Sequence, residues 1–407
     1  MLDFAAVKAQ IDDMVVEQAA RPPQVEARLA RALAQVERWA GQWEALAGKL
    51  RRSKTSWLLA ELVEDPSVTR PCPSRPEHLS LAATDGSQIF PDRHEVSPCY
   101  LINIGYVVLH YGTGERPLLS SQPRLYYRDE DLFPEWGGRR VSANRDWVGH
   151  RRSLLELTEL AELAGASQDS GYLTAALCDG TLIAWHLEGR PPEHRREYLG
   201  AMKRALDELC QRRIPVAGYI SRSASQDVTN ALRVGLCPLE AADCDRCPWL
   251  GESPPAWPEH ADPQEEGGSP LPCGAIDGIG DAVLLRRRLQ KGERSALFAS
   301  TSKILAEYGP HRVHFFYVHV GDEVARVEVP AWVARDAELL DLVHTAVVDQ
   351  ADKGQGYPVC LAEAHERAVV RGADRDLFYR YLEDSFVSQD IRASVSTKNL
   401  RKRYTGV

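Results

Sequence analysis

Two stretches of this 407-residue chain repeat one pattern: a short apolar, strand-prone run closed by aspartate, glycine and a hydroxyl residue. They read LAATDGSQ around Asp85 and AALCDGTL around Asp179. An aspartate within a buried strand is costly unless something pairs with it. A glycine directly after it permits a sharp turn or a close approach to a ligand. One copy alone reads most simply as a strand followed by an Asp-Gly turn. Two copies in equivalent surroundings point to two strand-end carboxylates that, on neighbouring strands, can hold one or two hard divalent cations. Gly86 and Gly180 would then leave room for a phosphate. Paired cations of this kind activate a water and stabilise the leaving oxygen in phosphodiester hydrolysis.

The remaining periodicities suggest what surrounds these strands. Residues from about 4 to 63 carry apolar positions at three- and four-residue spacing, with Pro22 and Pro23 dividing two helices. A proline-rich connection leads into the strands LSLAATDGS and CYLINIGYVVLHYG. The helix NRDWVGHRRSLLELTELAELAG precedes the second Asp-Gly strand; a further helix and the strand IPVAGYISRS follow it. After a Pro-, Gly- and acid-rich stretch come the strands HRVHFFYVHV and VARVEVP and two closing helices. Strands with intervening helices imply an α/β fold, a mixed sheet covered on its faces. The expected division is a helical region at 1–65 and a main domain at 75–390 carrying a Cys/Pro-rich insertion at 237–275. A basic tail occupies 391–407.

The net charge of −9 argues against coating nucleic acid through bulk positive charge. It leaves room for local basic runs, and HRRSLL, LLRRRLQKGERS and KNLRKR are such runs, each of which alone reads first as a solvated face. No apolar run approaches the roughly 20 residues that cross a bilayer. The N-terminal segment carries acids among its apolar positions, so it reads as a helix rather than a signal peptide. The nine cysteines are not spaced like a secreted disulfide framework. Cys99, Cys178, Cys210 and Cys360 sit in apolar surroundings and are expected as buried, reduced thiols, which fits a cytoplasmic protein. Cys237, Cys244, Cys247 and Cys273 differ. Cys244 and Cys247 form a CxxC knuckle, and the four thiols suit a structural Zn²⁺; the alternative is a loosely packed loop with free thiols.

Further candidates lie on helices. Glu156, Glu159 and Glu162 follow at three-residue spacing, which puts neighbours on one side of the helix; a solvated face explains each alone. In GYPVCLAEAHERA, Tyr357 and His365 are expected two turns apart on one helix face. A histidine there can ligate a metal or donate a proton.

Taken together, AATDGSQIFPDRHE, YLINIGYVVLHYG, CDGTL, FFYVHV, ARVEVPAWVA and GYPVCLAEAHE resemble the NurA nuclease family, over roughly residues 79–386. The resemblance implies an RNase H-like fold and a Mn²⁺-dependent nuclease centre, with Mg²⁺ as the alternative ion. It also implies a homodimer docked on a hexameric HerA-type ATPase, resecting DNA ends in double-strand break repair at the nucleoid. By that resemblance Asp85, Glu156, Asp179 and His365 are the metal ligands, with Tyr357 a further catalytic residue and Glu159 the substitute for Glu156. Asp281 also resembles a family position, although a helix N-cap explains it equally. Arg286, Arg287, Arg288, Lys291 and Arg294 become phosphate contacts that attract DNA without reading its sequence. The competing reading is a non-catalytic DNA-binding or motor-docking adaptor of the same fold. Clustered carboxylates facing DNA speak against it, because they repel phosphate unless cations intervene.

Overall fold

A computed structural model of the chain describes residues 2–19, 22–91, 97–136, 139–251 and 271–389. In chain order the main elements are α1 (Phe4–Ala19), α2 (Pro22–Trp39), α3 (Trp43–Arg52), β1 (Ala60–Leu62), β2 (Leu79–Ile89), β3 (Tyr100–Tyr111) and β4 (Leu118–Tyr126). Then come α4 (Arg145–Asp169), β5 (Thr174–Asp179), α5 (Pro192–Gln211), β6 (Val216–Ile220), α6 (Asp227–Leu236) and α7 (Asp281–Arg286). The chain continues with β7 (Phe298–Ser300), β8 (Val313–His319), β9 (Val324–Pro330), α8 (Ala337–Lys353), α9 (Val359–Ala368) and α10 (Gly372–Ser388). Among the described residues no helix is long and apolar enough to cross a membrane. The basic tail at 391–407 and the middle of the insertion lie outside the described residues.

The chain divides into two compact units, and the division is not the linear one expected. The first comprises Met1–Cys72, Ser221–Lys303 and His314–Val327; the second comprises Pro73–Ile220, Ile304–Val313 and Glu328–Val407. The helical N-terminal region is therefore not a separate module. Leu29, Ala32 and Val36 of α2 and Leu46, Ala47 and Leu50 of α3 share one apolar core with Val228, Ala231 and Leu232 of α6. The region is also not helical throughout: it ends in β1, which pairs antiparallel with β7.

In the second unit five strands lie in the order β4-β3-β2-β5-β6. β2, β3 and β4 form an antiparallel meander, whereas β5 runs parallel to β2 and β6 parallel to β5. Parallel neighbours need crossover connections, and α4 and α5 supply them. One face of this sheet packs Ala82, Ala176 and Val216 against Leu157, Leu160 and Ala164 of α4 and Leu199, Met202 and Leu206 of α5. On the other face α9 lies so close to β3 that a side chain at Gly105 would collide with its backbone, 2.4 Å from the Ala364 carbonyl. Only glycine fits there.

Candidate active site

Asp85 was expected at the end of a strand, but β2 runs straight through it to Ile89. The neighbour ends instead. The parallel ladder between β2 and β5 has Thr84 beside Cys178 as its last pair, and β5 stops at Asp179. Asp85 and Asp179 therefore each follow that last pair, side by side on neighbouring strands about 4.8 Å apart. Alternation places them on one face, opposite to Thr84 and Cys178.

Two residues of the α9 region meet these acids on that face. His365 Nδ1 lies 2.7 Å from Asp85 Oδ2, and Asp85 Oδ1 accepts from the Gly86 amide at 2.8 Å. The Tyr357 hydroxyl donates to the Asp179 carboxylate. Tyr357 was expected within the helix; Pro358 caps α9, so the tyrosine stands in the turn before it. That turn is tight, with Gln355 and Gly356 at positive φ (57° and 112°). The Tyr357 ring is held edge-on against the buried Tyr219 of β6, with centroids 5.5 Å apart.

Glu156 arrives from the other layer. The Thr84 hydroxyl donates to the Glu156 carbonyl at 2.8 Å, docking α4 on β2. The Glu156 carboxylate lies against the bare backbone of Gly86, where a Cβ would stand 2.5 Å from Glu156 Oε1. Gly86 therefore makes room for a carboxylate rather than for a phosphate as expected. Arg152, one turn earlier on α4, places Nε 3.1 Å from Glu156 Oε1 and donates to Gln88 Oε1 at 3.0 Å.

The electrostatics follow from crowding three acids. Burial pushes the Glu156 carboxyl up to about 7, with Arg152 opposing and Asp85 and Asp179 adding to the rise. Burial also raises Asp179; the Tyr357 hydroxyl and His365 work against this, Asp85 with it. Tyr357 is raised in turn by burial and by Asp179. Cys178, packed behind the acids, is pushed up to about 12 by burial and by the same carboxylates. Hard oxygen donors with one imidazole are a set that Mn²⁺ or Mg²⁺ accepts, and excess negative charge suits a cation. Among the described residues, however, no three His, Cys, Asp or Glu side chains stand in ready metal-holding geometry.

The other candidates divide. Glu159 forms an ion pair with Arg124 of β4 and so is committed elsewhere. Asp281 is the first residue of α7, not its N-cap, and is fully buried in the first unit. Of the basic residues, Arg286 and Arg287 are exposed; Arg286 donates to the Asp322 carbonyl and Arg287 pairs with Glu26. Arg288 pairs with Glu37, and Lys291 is exposed. Arg294 is 5% exposed and pairs with Glu64 across 3.4 Å, so it offers no cation to solvent. Cys99 and Cys360 are buried as expected, whereas Cys178 and Cys210 are partly exposed. Sequence reasoning missed Arg152, whose four-residue spacing to Glu156 was the available signal. It also missed Glu328 of β9. That buried carboxylate accepts from the Thr181 hydroxyl (2.7 Å) and the Leu182 amide (2.9 Å), fixing the turn after Asp179.

The model of the NurA domain matches residues 79–370, well over half of the chain. This chain belongs to the NurA family. The NurA nuclease from Sulfolobus solfataricus shares its fold at a TM-score of 0.50 and 14% identity, covering 94% of this chain and 98% of that one. Two further solved structures are similar at 14% identity. One is NurA bound to dAMP and manganese (TM-score 0.32, 75% of this chain and 88% of that one). The other is described as NurA (TM-score 0.34, 77% and 90%). No curated protein matches this NurA-family chain in sequence.

Proposed function

We propose that the chain is a Mn²⁺-dependent deoxyribonuclease, an exonuclease and single-strand endonuclease with an RNase H-like second unit. It would resect DNA ends as a homodimer on a HerA-type hexameric ATPase, in the cytoplasm at the nucleoid. The family carries the DNA substrate, the dimer and the motor. The observation that carries the chemistry is the gathering of Asp85, Asp179, Glu156, His365 and Tyr357 at one end of the β2–β5 pair. The strand order, a meander followed by two parallel strands with helical crossovers, supports the RNase H-like reading.

Asp85, Asp179, Glu156 and His365 would hold the ion, which when bound supplies charge neutralisation at the scissile phosphate and a more acidic attacking water. The protein's own groups do the rest. The Tyr357 hydroxyl fixes the rotamer of Asp179, and Tyr219 fixes Tyr357. His365 orients Asp85 through Nδ1 and stands exposed, which leaves Nε2 for the ion. Arg152 offsets the charge of Glu156 from one turn away. Arg286, Arg287 and Lys291 would add nonspecific phosphate attraction.

The test is cleavage of end-labelled DNA with Mn²⁺ by the wild type and by Asp85→Asn. The variant should keep its melting temperature and lose more than the 10–100-fold typical of an outer-shell partner. Wild-type rates from a folded Asp85→Asn protein would remove the site, and leave the adaptor reading.

A further inference from the structure

In the first unit the four cysteines of the insertion are gathered by structure that none of the proposed nuclease chemistry uses. Cys237 caps the C-terminus of α6, and its carbonyl accepts from Lys49 of α3. Just after α3, Lys54 forms a bridge with Asp243: its amide donates to the Ala242 carbonyl at 2.7 Å, and its carbonyl accepts from the Cys244 amide at 3.0 Å. The Ser53 hydroxyl accepts from the Ala242 amide at 2.9 Å. Both ends of the segment from Cys237 to Cys244 are thus tied to the end of α3. Cys244 opens a short 3₁₀ turn that Asp243 caps, and Cys247 closes it, a knuckle with both thiols on one turn.

Cys273 joins from the far side of the insertion. Its carbonyl accepts from Arg233 Nε at 3.2 Å, and Arg233 lies one turn before Cys237 on α6. The same guanidinium stacks over Trp57 at 3.8 Å and pairs with Asp277 at 2.8 Å. Cys237 and Cys273 are thus held at the C-terminal end of α6, and Cys244 with Cys247 at the end of α3. All four are unbridged thiols.

A second feature is the company these sulfurs keep. The Ser56 amide donates to the Cys244 sulfur, and the Arg233 side chain donates to that of Cys273. Lys49, half-buried, faces Cys237. Amide and guanidinium donors and a lysine beside these sulfurs complement the negative charge that a metal-bound cluster of thiolates carries.

We propose that Cys237, Cys244, Cys247 and Cys273 bind one structural Zn²⁺. Four thiols release four protons as the ion binds, leaving a zinc tetrathiolate of net charge −2 beside Lys49 and Arg233. With four sulfurs the coordination is closed, so the ion does no chemistry. The thiols do not stand in ready metal-holding geometry, so binding would draw the knuckle and Cys273 together. The ion would tie the ends of α3 and α6 to the 3₁₀ turn Pro272–Ile276, stapling the insertion at its base.

The experiment is metal analysis of the purified full chain after a chelator wash, with native mass spectrometry. One zinc per chain is expected in the wild type and in Asp85→Asn, and none in the Cys244→Ser/Cys247→Ser double variant. Because that variant can fail to fold, the wild type is also loaded with Co²⁺. An intense thiolate-to-cobalt charge-transfer band with tetrahedral visible bands is expected. Absence of zinc and of that band, with all four thiols titrating freely in the folded wild type, overturns the proposal. So does zinc retained by the folded double variant. A chain that holds zinc but cuts no DNA keeps this site and loses the nuclease, so the two failures are distinguishable.

Discussion

Each unit gathers acidic side chains beside a sheet, buried in the first and partly exposed in the second, and the two solve the resulting problem in opposite ways. In the first unit Asp281 has no solvent exposure, and hydrogen-bond donors answer it on both carboxylate oxygens. It accepts from the amides of Val228 and Thr229, the Thr229 hydroxyl and the Tyr317 hydroxyl, all at 2.8–3.0 Å. Those amides belong to the first turn of α6, so Asp281 caps a helix other than its own. Beside it Asp227 pairs with Arg326 at 2.9 Å, whose guanidinium stacks on Phe315 at 3.6 Å. In the second unit Asp85 and Asp179 on one face and Glu156 from the other layer crowd one strand end, with Arg152 and His365 as their cationic neighbours. The first arrangement is complete as it stands; the second is complete once positive charge is added. A carboxylate packed against a sheet therefore marks a functional site by what its donors leave unanswered, not by burial alone.

The sharpest way to break that contrast is to remove one acid from each side. Asp281→Ala strands two amides and two hydroxyls in the first unit and should cost about 3–5 kcal/mol of stability, read from denaturant midpoints. DNA cleavage per folded molecule should persist. Asp179→Asn should do the reverse, abolishing cleavage while leaving the midpoint unchanged or higher. If Asp281→Ala folds normally and Asp179→Asn unfolds, the assignment of structural and functional acids is inverted.

Sequence reasoning reached the second unit's acids because their chemistry repeats along the chain. Two Asp-Gly motifs ending apolar runs are legible without coordinates, and so is a tyrosine and histidine pair downstream. What it missed depends on pairing across distance. Nothing local says that the β2–β5 ladder ends at Thr84 and Cys178, just before the two aspartates, or that Gly86 exists to admit Glu156 from the opposite layer. Asp281 was ambiguous because a helix-start aspartate normally caps its own helix; its real partners lie some fifty residues back, at Val228 and Thr229. Arg294 looked like surface charge in a basic run, yet the strand it occupies turns it inward to Glu64. The two units were illegible because each is assembled from three separated segments.

A subtler prediction concerns the proton that answers the second unit's acids when no metal does. Glu156 has a folded pKa of about 7 against an ordinary value of 4.5, so its neutral form is favoured in the fold. Its contribution to stability is fully present below about pH 4.5 and is lost as pH rises through 7. Glu156→Gln mimics the neutral acid. Metal-free, it should match wild type at pH 5 and exceed it at pH 8 by about 1–3 kcal/mol, the lower end if water screens the partly exposed side chain. Mn²⁺ affinity of the wild type should rise over the same interval, since metal and proton compete for one carboxylate. Thermal melts at both pH values with and without Mn²⁺ measure this. Equal pH dependence in the two proteins would mean that Glu156 is not the acid that titrates.

The smallest effect lies outside both acid clusters, and it separates charge that holds a fold from charge that meets a ligand. Arg287 pairs with Glu26 at 3.0 Å, but both side chains are more than half exposed, 55% and 65%. An ion pair this open contributes at most about 0.5 kcal/mol, so Arg287→Gln should barely move the melting temperature. If Arg287 also meets DNA, the same substitution should weaken binding uniformly across sequences. It should lower the slope of log K against log salt by about one. A stability loss well above 0.5 kcal/mol with an unchanged salt slope would place Arg287 with Asp227 and Arg326, among the charges the first unit uses to stay folded.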